Sequence, residues 1–134
     1  MWEIYRDFTF EASHVLPNHD GKCSRLHGHS WKGTLICHGN KINESGPKQG
    51  MLVDFDEIDK VMRPLIDECL DHHHLNDSLK LESPTCEKVA QWVYQQIILR
   101  TQFESLRIYP PQVLIKRRNS INVSGDTGQG GTKT

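Results

Sequence analysis

Two stretches of this chain place apolar side chains on every second residue, and this pattern commits it to a sheet. In residues 2–14, Trp2, Ile4, Phe8, Phe10 and Ala12 share one parity, while Glu3, Asp7, Thr9 and Glu11 share the other. A strand turns successive side chains to opposite faces, so the pattern predicts a half-buried strand. Arg6 interrupts the apolar parity, and His14 continues it at the strand's end or just past it. Residues 27–38 alternate again, with Trp31, Leu35 and Cys37 on the parity of His27 and His29. Met51 to Val53 reads as a short third strand, and residues 112–116, after Pro110-Pro111, as a last one.

Between the strands the period changes to that of a helix. Asp54 is placed to cap a helix, with Glu57 three residues on as its capping-box partner. Phe55, Ile58, Val61, Met62, Leu65, Ile66, Cys69 and Leu70 then form an amphipathic stripe, in which Pro64 predicts a kink. Residues 71–82 read as an irregular, histidine-rich connection. Ser83-Pro84 predicts the start of a second helix, with Ser83 as cap, Pro84 at the first helical position, and Cys86, Val89, Ala90, Val93 and Ile97 on the buried face. Residues 16–26 and 39–50 are rich in Gly, Pro, Asn and Asp and read as loops. This order predicts an α+β domain, a near-antiparallel sheet with helices on one face. A short sheet with uncovered edges also predicts edge-to-edge oligomerisation.

A length of 134 residues fits one domain, expected over residues 1–123, with residues 124–134 as a disordered tail of Gly, Thr, Lys and Gln. No apolar run approaches the roughly 20 residues that span a bilayer. Met1 to Thr9 is charged and lacks the apolar segment of a secretory signal, so no membrane contact and a cytoplasmic location are expected. The net charge of −1 makes no electrostatic footprint for nucleic acid, and Lys116-Arg117-Arg118 reads as a solvated face. Cys23, Cys37, Cys69 and Cys86 match no CxxC spacing and read as free thiols.

Histidine is the unusual component, with eight residues. His27 and His29, two apart on a strand, point to one side and can reach one cation. Gly28 between them spares the neighbouring backbone a side chain. His14, ending the other long strand, supplies a third nitrogen. Three histidines with an open fourth position are a catalytic zinc arrangement. Cys23, four residues before His27, reads as a fourth ligand closing a structural Cys-His₃ site, as a catalytic thiol beside the metal, or as a small buried residue. Asp71-His72-His73-His74 contains the minimal orienting pair of a general acid–base, or else a solvated histidine run suited to a helix C-terminus. Glu87 is an ordinary first-turn carboxylate or an acceptor for a ligand's N–H groups.

Phe10-Glu11-Ala12-Ser13-His14, Cys23-Ser24-Arg25-Leu26-His27-Gly28-His29, Asp54-Phe55, Leu70-Asp71-His72-His73-His74-Leu75-Asn76-Asp77 and Pro84-Thr85-Cys86-Glu87 occur in one order. Together they resemble the 6-pyruvoyl-tetrahydropterin synthase family over about residues 4–98. The three-residue gap Ser24-Arg25-Leu26 is similar to its bacterial branch, the 6-carboxytetrahydropterin synthases of queuosine biosynthesis. The resemblance implies a tunnelling fold, a four-stranded antiparallel sheet with two helices packed on one face, assembled as trimers that pair into homohexamers. It implies a zinc-dependent lyase that converts 7,8-dihydroneopterin triphosphate to 6-carboxy-5,6,7,8-tetrahydropterin, acetaldehyde and triphosphate. It assigns zinc to His14, His27 and His29, proton transfer to Cys23 with the dyad Asp71 and His72, and pterin binding to Thr85 and Glu87. Lys22 and Arg25 are candidates for the triphosphate. The alternatives are a pyruvoyl-type synthase on the same substrate and a zinc-containing pterin-binding module without turnover.

One position departs from the family. A glutamate that grips the pterin is expected after the lysine of the last strand, but aligning Val113-Leu114-Ile115-Lys116 there puts Arg117 in its place. Arginine donates hydrogen bonds and accepts none. Three explanations stand: the C-terminal stretch has diverged, Glu104 or Asp126 is a replacement acceptor, or the substrate differs.

Overall fold

A computed structural model describes residues 1–101, 112–117 and 123–124. The two alternating stretches form the long strands β1 (Trp2–His14) and β2 (His27–Gly39), paired antiparallel over their whole length from Trp2 opposite Gly39 to His14 opposite His27. Strand β4 (Gln112–Arg117) pairs antiparallel with β2, and β5 (Val123–Ser124) with β4. Strand β3 (His73–His74) lies parallel to β1 on its other side, giving the order β3-β1-β2-β4-β5.

The sheet is therefore mixed, and the expectation of a purely antiparallel one is corrected at its β3 edge. The short strand expected at Met51 to Val53 is also absent. Leu52 and Val53 are buried there as a bend, and the fourth antiparallel strand is β5 instead. Of the expected tail, only Ser124 falls among the described residues.

Register explains which face is buried. Phe10 pairs with Trp31, Ala12 with His29 and Phe8 with Gly33, so the even residues of β1 and the odd residues of β2 share a face. Against it pack α1 (Phe55–Leu65), through Ile58, Met62 and Leu65, and α3 (Cys86–Thr101), through Val89, Ala90, Val93 and Ile97. Phe10 stacks on Trp31 with centroids 5.6 Å apart. Gly33 is required by this packing, because a Cβ there would stand 2.3 Å from the Phe8 ring. Arg6, on the apolar parity, forms a bidentate pair with Asp59 of α1, at 3.0 and 2.6 Å, and lies over the Phe55 ring. It thus ties β1 to α1 at the sheet's margin.

The cap of α1 is as expected. Asp54 accepts from the Asp56 N–H and Glu57 accepts from the Asp54 N–H, an arrangement worth about 1 kcal/mol. Asp54 also pairs with Lys48, and that partner holds its carboxyl below the usual carboxylate range. Pro64 leaves α1 running to Leu65, and the departure from α geometry takes the form of a π-helical turn, Ile66–Leu70. That turn closes with the Asp71 N–H on the Ile66 carbonyl at 2.7 Å. The connection expected to be irregular holds β3 and a one-turn helix α2 (Leu75–Ser78). Helix α3 starts two residues later than the Ser83-Pro84 signal predicts. Thr85 is the cap, its Oγ1 accepting from the Lys88 N–H at 3.2 Å.

Candidate metal centre and neighbouring groove

The β1–β2 register brings three histidines together. His14 pairs with His27 and Ala12 with His29, so all three imidazoles lie at one end of the helix-covered face. Their ligand nitrogens all lie within 4.8 Å of one another. The rings meet edge to face, with centroids 4.5 Å apart for His14 and His27, 5.1 Å for His14 and His29, and 4.6 Å for His27 and His29. His14 is 1% exposed, with Trp31 against its ring.

Two of these rings are oriented by backbone carbonyls. His14 Nδ1 lies 2.8 Å from the Pro84 oxygen, and His27 Nδ1 lies 2.6 Å from the Arg25 oxygen. A carbonyl only accepts, so both Nδ1 atoms donate, and in the neutral ring that leaves the lone pair on Nε2. His27 Nε2 is buried without a hydrogen-bond partner. A buried acceptor in that state is costly, and a cation at the centre of the triad satisfies it. The three-nitrogen set suits zinc with a fourth position open. Gly28 is not needed for space. A Cβ there would meet the Ala12 oxygen at 3.7 Å, an ordinary contact, which corrects the expectation of crowding.

Asp71 and His72 form a bonded pair, with His72 Nδ1 2.8 Å from Asp71 Oδ2. Asp71 Oδ1 accepts from the Glu11 N–H at 2.8 Å, and the His72 N–H donates to the Glu11 carbonyl at 2.6 Å. The Glu11 N–H first, and His72 second, hold the Asp71 carboxyl below the usual range. His72 has φ of +62°, the left-handed region that a non-glycine residue enters at a cost. The π turn delivers Asp71 to the edge of β1, and the His72 conformation turns the chain to run beside it as β3. A cavity of about 950 Å³ opens here, lined by Glu11, Ser13, His29, Ser30 and His72 to His74 among others, so it takes in one member of the triad and the dyad histidine.

The remaining candidates lie elsewhere. Cys23 is half-buried in the 3₁₀ turn Lys22–Ser24, its carbonyl accepting from the Leu16 N–H at 2.8 Å. It is not among the mutually close ligand atoms, so the structure gives no support to a closed Cys-His₃ site. Lys22 and Arg25 are exposed on the same loop. Thr85 is half-buried at the α3 cap, and Glu87 is exposed in the first turn. Neither lines the cavity. The Arg117 backbone pairs with Trp31 at the end of β4. Glu104 and Asp126 lie outside the described residues.

Sequence reasoning missed the Pro84 and Arg25 carbonyls, since backbone acceptors leave no mark on residue type. It also missed the pair Ser13 Oγ and His74 Nδ1, 3.0 Å apart across the β1–β3 ladder.

The family model described as 6-pyruvoyl tetrahydropterin synthase matches residues 3–119. A Synechocystis protein named 6-carboxy-5,6,7,8-tetrahydropterin synthase is 46% identical over 97 residues, covering 72% of this chain and 75% of the relative. A Haemophilus influenzae protein of the same name is 35% identical over 77 residues, 58% of this chain, and the match spans about half of that relative, 54%. Among solved structures, the Caenorhabditis elegans 6-pyruvoyl tetrahydropterin synthase matches with a TM-score of 0.71 at 24% identity, covering 93% of this chain and 96% of that one, a likeness of fold.

Proposed function

This chain belongs to the 6-pyruvoyl tetrahydropterin synthase family, and on that premise we propose that it is a zinc-dependent carbon–carbon lyase of the 6-carboxytetrahydropterin synthase type. Its substrate is 7,8-dihydroneopterin triphosphate, and its products are 6-carboxy-5,6,7,8-tetrahydropterin, acetaldehyde and triphosphate, for 7-deazaguanine and queuosine synthesis. The reading rests on the 46% identity to a relative of that name. The observation that carries its chemistry is the triad of His14, His27 and His29 with converging nitrogens.

When bound, zinc would act as a Lewis acid toward the substrate's side-chain hydroxyls and stabilise the negative charge that develops as a neighbouring C–H proton leaves. The rest falls to the chain's own groups. Cys23 Sγ takes or returns a proton on the side-chain carbon. His72 exchanges its proton at Nε2, because Asp71 Oδ2 engages Nδ1. Thr85 and Glu87 bind the pterin, the carboxylate accepting from the aminopyrimidinone N–H groups. Lys22 and Arg25 offer cations to the triphosphate.

Assembly into a trimer or a dimer of trimers has support in β1. Strand β3 pairs with it at Ala12 and Ser13, and no strand among the described residues covers that edge from Trp2 to Phe10. No helix among the described residues is long and apolar enough to cross a membrane, in keeping with the cytoplasmic location we assign.

Product identification by mass after incubation with 7,8-dihydroneopterin triphosphate tests the reading. The carboxylated pterin with equimolar acetaldehyde supports it. A pyruvoyl product places the chain with the other branch, and no product makes it a binding module.

A further inference from the structure

The triad's best-buried member is oriented through a contact that Asn76 holds in place. Asn76 Oδ1 accepts from the Val15 N–H at 2.9 Å, and Nδ2 donates to the Val15 carbonyl at 2.8 Å and to the Glu82 carbonyl at 3.0 Å. The amide thus uses an acceptor and both donors. Val15 lies one residue past the end of β1, where the β1–β3 ladder has already ended at Ser13 and His74. The Asn76 side chain stands in for the missing backbone partner.

These bonds close a ring around His14. From His14 the chain passes to Val15, across Asn76 to Glu82, along Ser83 to Pro84, and back through the Pro84 oxygen to His14 Nδ1 at 2.8 Å. Both ends of that last contact are buried, at under 2% exposure. The carbonyl that fixes the tautomer of His14 is therefore held two residues from the one that Asn76 grips. Carbonyl partners of this kind raise the basicity of a ligating imidazole and aim its lone pair.

We propose that Asn76 is a positioning residue for the metal centre, acting on His14 through the Glu82–Pro84 segment. This rests on the zinc reading of the triad. Aspartate in its place is nearly isosteric and keeps the acceptor for the Val15 N–H. It sets a carboxylate oxygen against the Val15 and Glu82 carbonyls, two acceptors, and the ring opens.

The test is zinc affinity by chelator competition on the full chain, together with the visible absorption of the Co²⁺-substituted protein. Wild type, Asn76→Asp and Ser78→Ala are compared. Ser78 sits in the same short helix and donates to the Cys69 carbonyl, away from the ring. The expected result is about ten- to a hundredfold weaker zinc binding and an altered Co²⁺ spectrum for Asn76→Asp, the scale seen for outer-sphere partners of ligating histidines, with Ser78→Ala like wild type. Wild-type affinity and spectrum in Asn76→Asp overturn the proposal, as does equal weakening by Ser78→Ala. Failure of the wild-type chain to bind zinc overturns the metal reading itself, a separate result.

Discussion

The Nδ1 of His14 lies 2.8 Å from the carbonyl oxygen of Pro84, a contact across 70 residues of sequence that joins the end of β1 to the entry of α3. Pro84 is the residue the sequence marks as a helix start, yet the helix begins at Cys86. A residue inside the first helical turn would commit its carbonyl to the ladder. Left outside the helix, the Pro84 carbonyl is available to orient a histidine.

Removal of a candidate ligand is the first test of the site. His27→Ala takes away a nitrogen whose Nε2 is buried without a hydrogen-bond partner. Zinc affinity is expected to fall by more than the roughly hundredfold that loss of an outer-sphere partner costs. Far-ultraviolet circular dichroism should stay unchanged. Metal content by atomic spectroscopy after dialysis reads this, and full retention of zinc would rule His27 out as a ligand.

Asp71 is one of the carboxylates on which acid stability depends. Its folded pKa lies below the unfolded value, held there first by the Glu11 N–H and then by His72. Its stabilisation is therefore present above the unfolded pKa, about 4, and is lost as pH falls through the folded value. Asp71→Asn keeps an acceptor for the Glu11 N–H but has no charge to lose. Melting temperatures between pH 2 and 5 should fall less steeply for Asp71→Asn than for wild type. Parallel curves would contradict the assignment.

Two glycines should behave in opposite ways. A Cβ on Gly33 meets the Phe8 ring at 2.3 Å, whereas one on Gly28 meets its nearest neighbour at 3.7 Å. Gly33→Ala is expected to cost about 1–3 kcal/mol, as overpacking does. Gly28→Ala should fold with little loss and retain metal. Urea denaturation decides between this ranking and its reverse.

Thiol labelling should sort the cysteines by burial. The Cys37 thiol is pushed up to about 12 by burial and stays protonated at neutral pH. Cys86 is also buried, while Cys23 and Cys69 are half-buried. A brief exposure of native protein to a disulfide reagent should modify Cys23 and Cys69 before Cys37 and Cys86, with sites mapped by mass spectrometry. Early modification of Cys37 would show that the β2 core opens readily.

Much of this was legible in the sequence for a physical reason. Alternation reports burial directly, so β1, β2 and their shared face followed from Phe8, Phe10, Trp31 and Leu35, and the HxH spacing placed His27 and His29 on that face. The Asp54 cap was equally local. What escaped depends on pairing between distant segments. The two residues of β3 become a strand only because His73 and His74 dock beside Ala12 and Ser13. Leu52 and Val53 are buried by position, without a strand partner among the described residues. The Pro64 signal was real, but its consequence, a π turn that delivers Asp71 to Glu11, is set by tertiary contact.

The most direct test of the central claim is acetaldehyde release from 7,8-dihydroneopterin triphosphate, followed as zinc is titrated into metal-free protein. Activity should rise to a plateau at one zinc per chain, with the carboxylated pterin as co-product, and His14→Ala should be inactive at any zinc level. Equal turnover by the metal-free chain, or by His14→Ala, would contradict it.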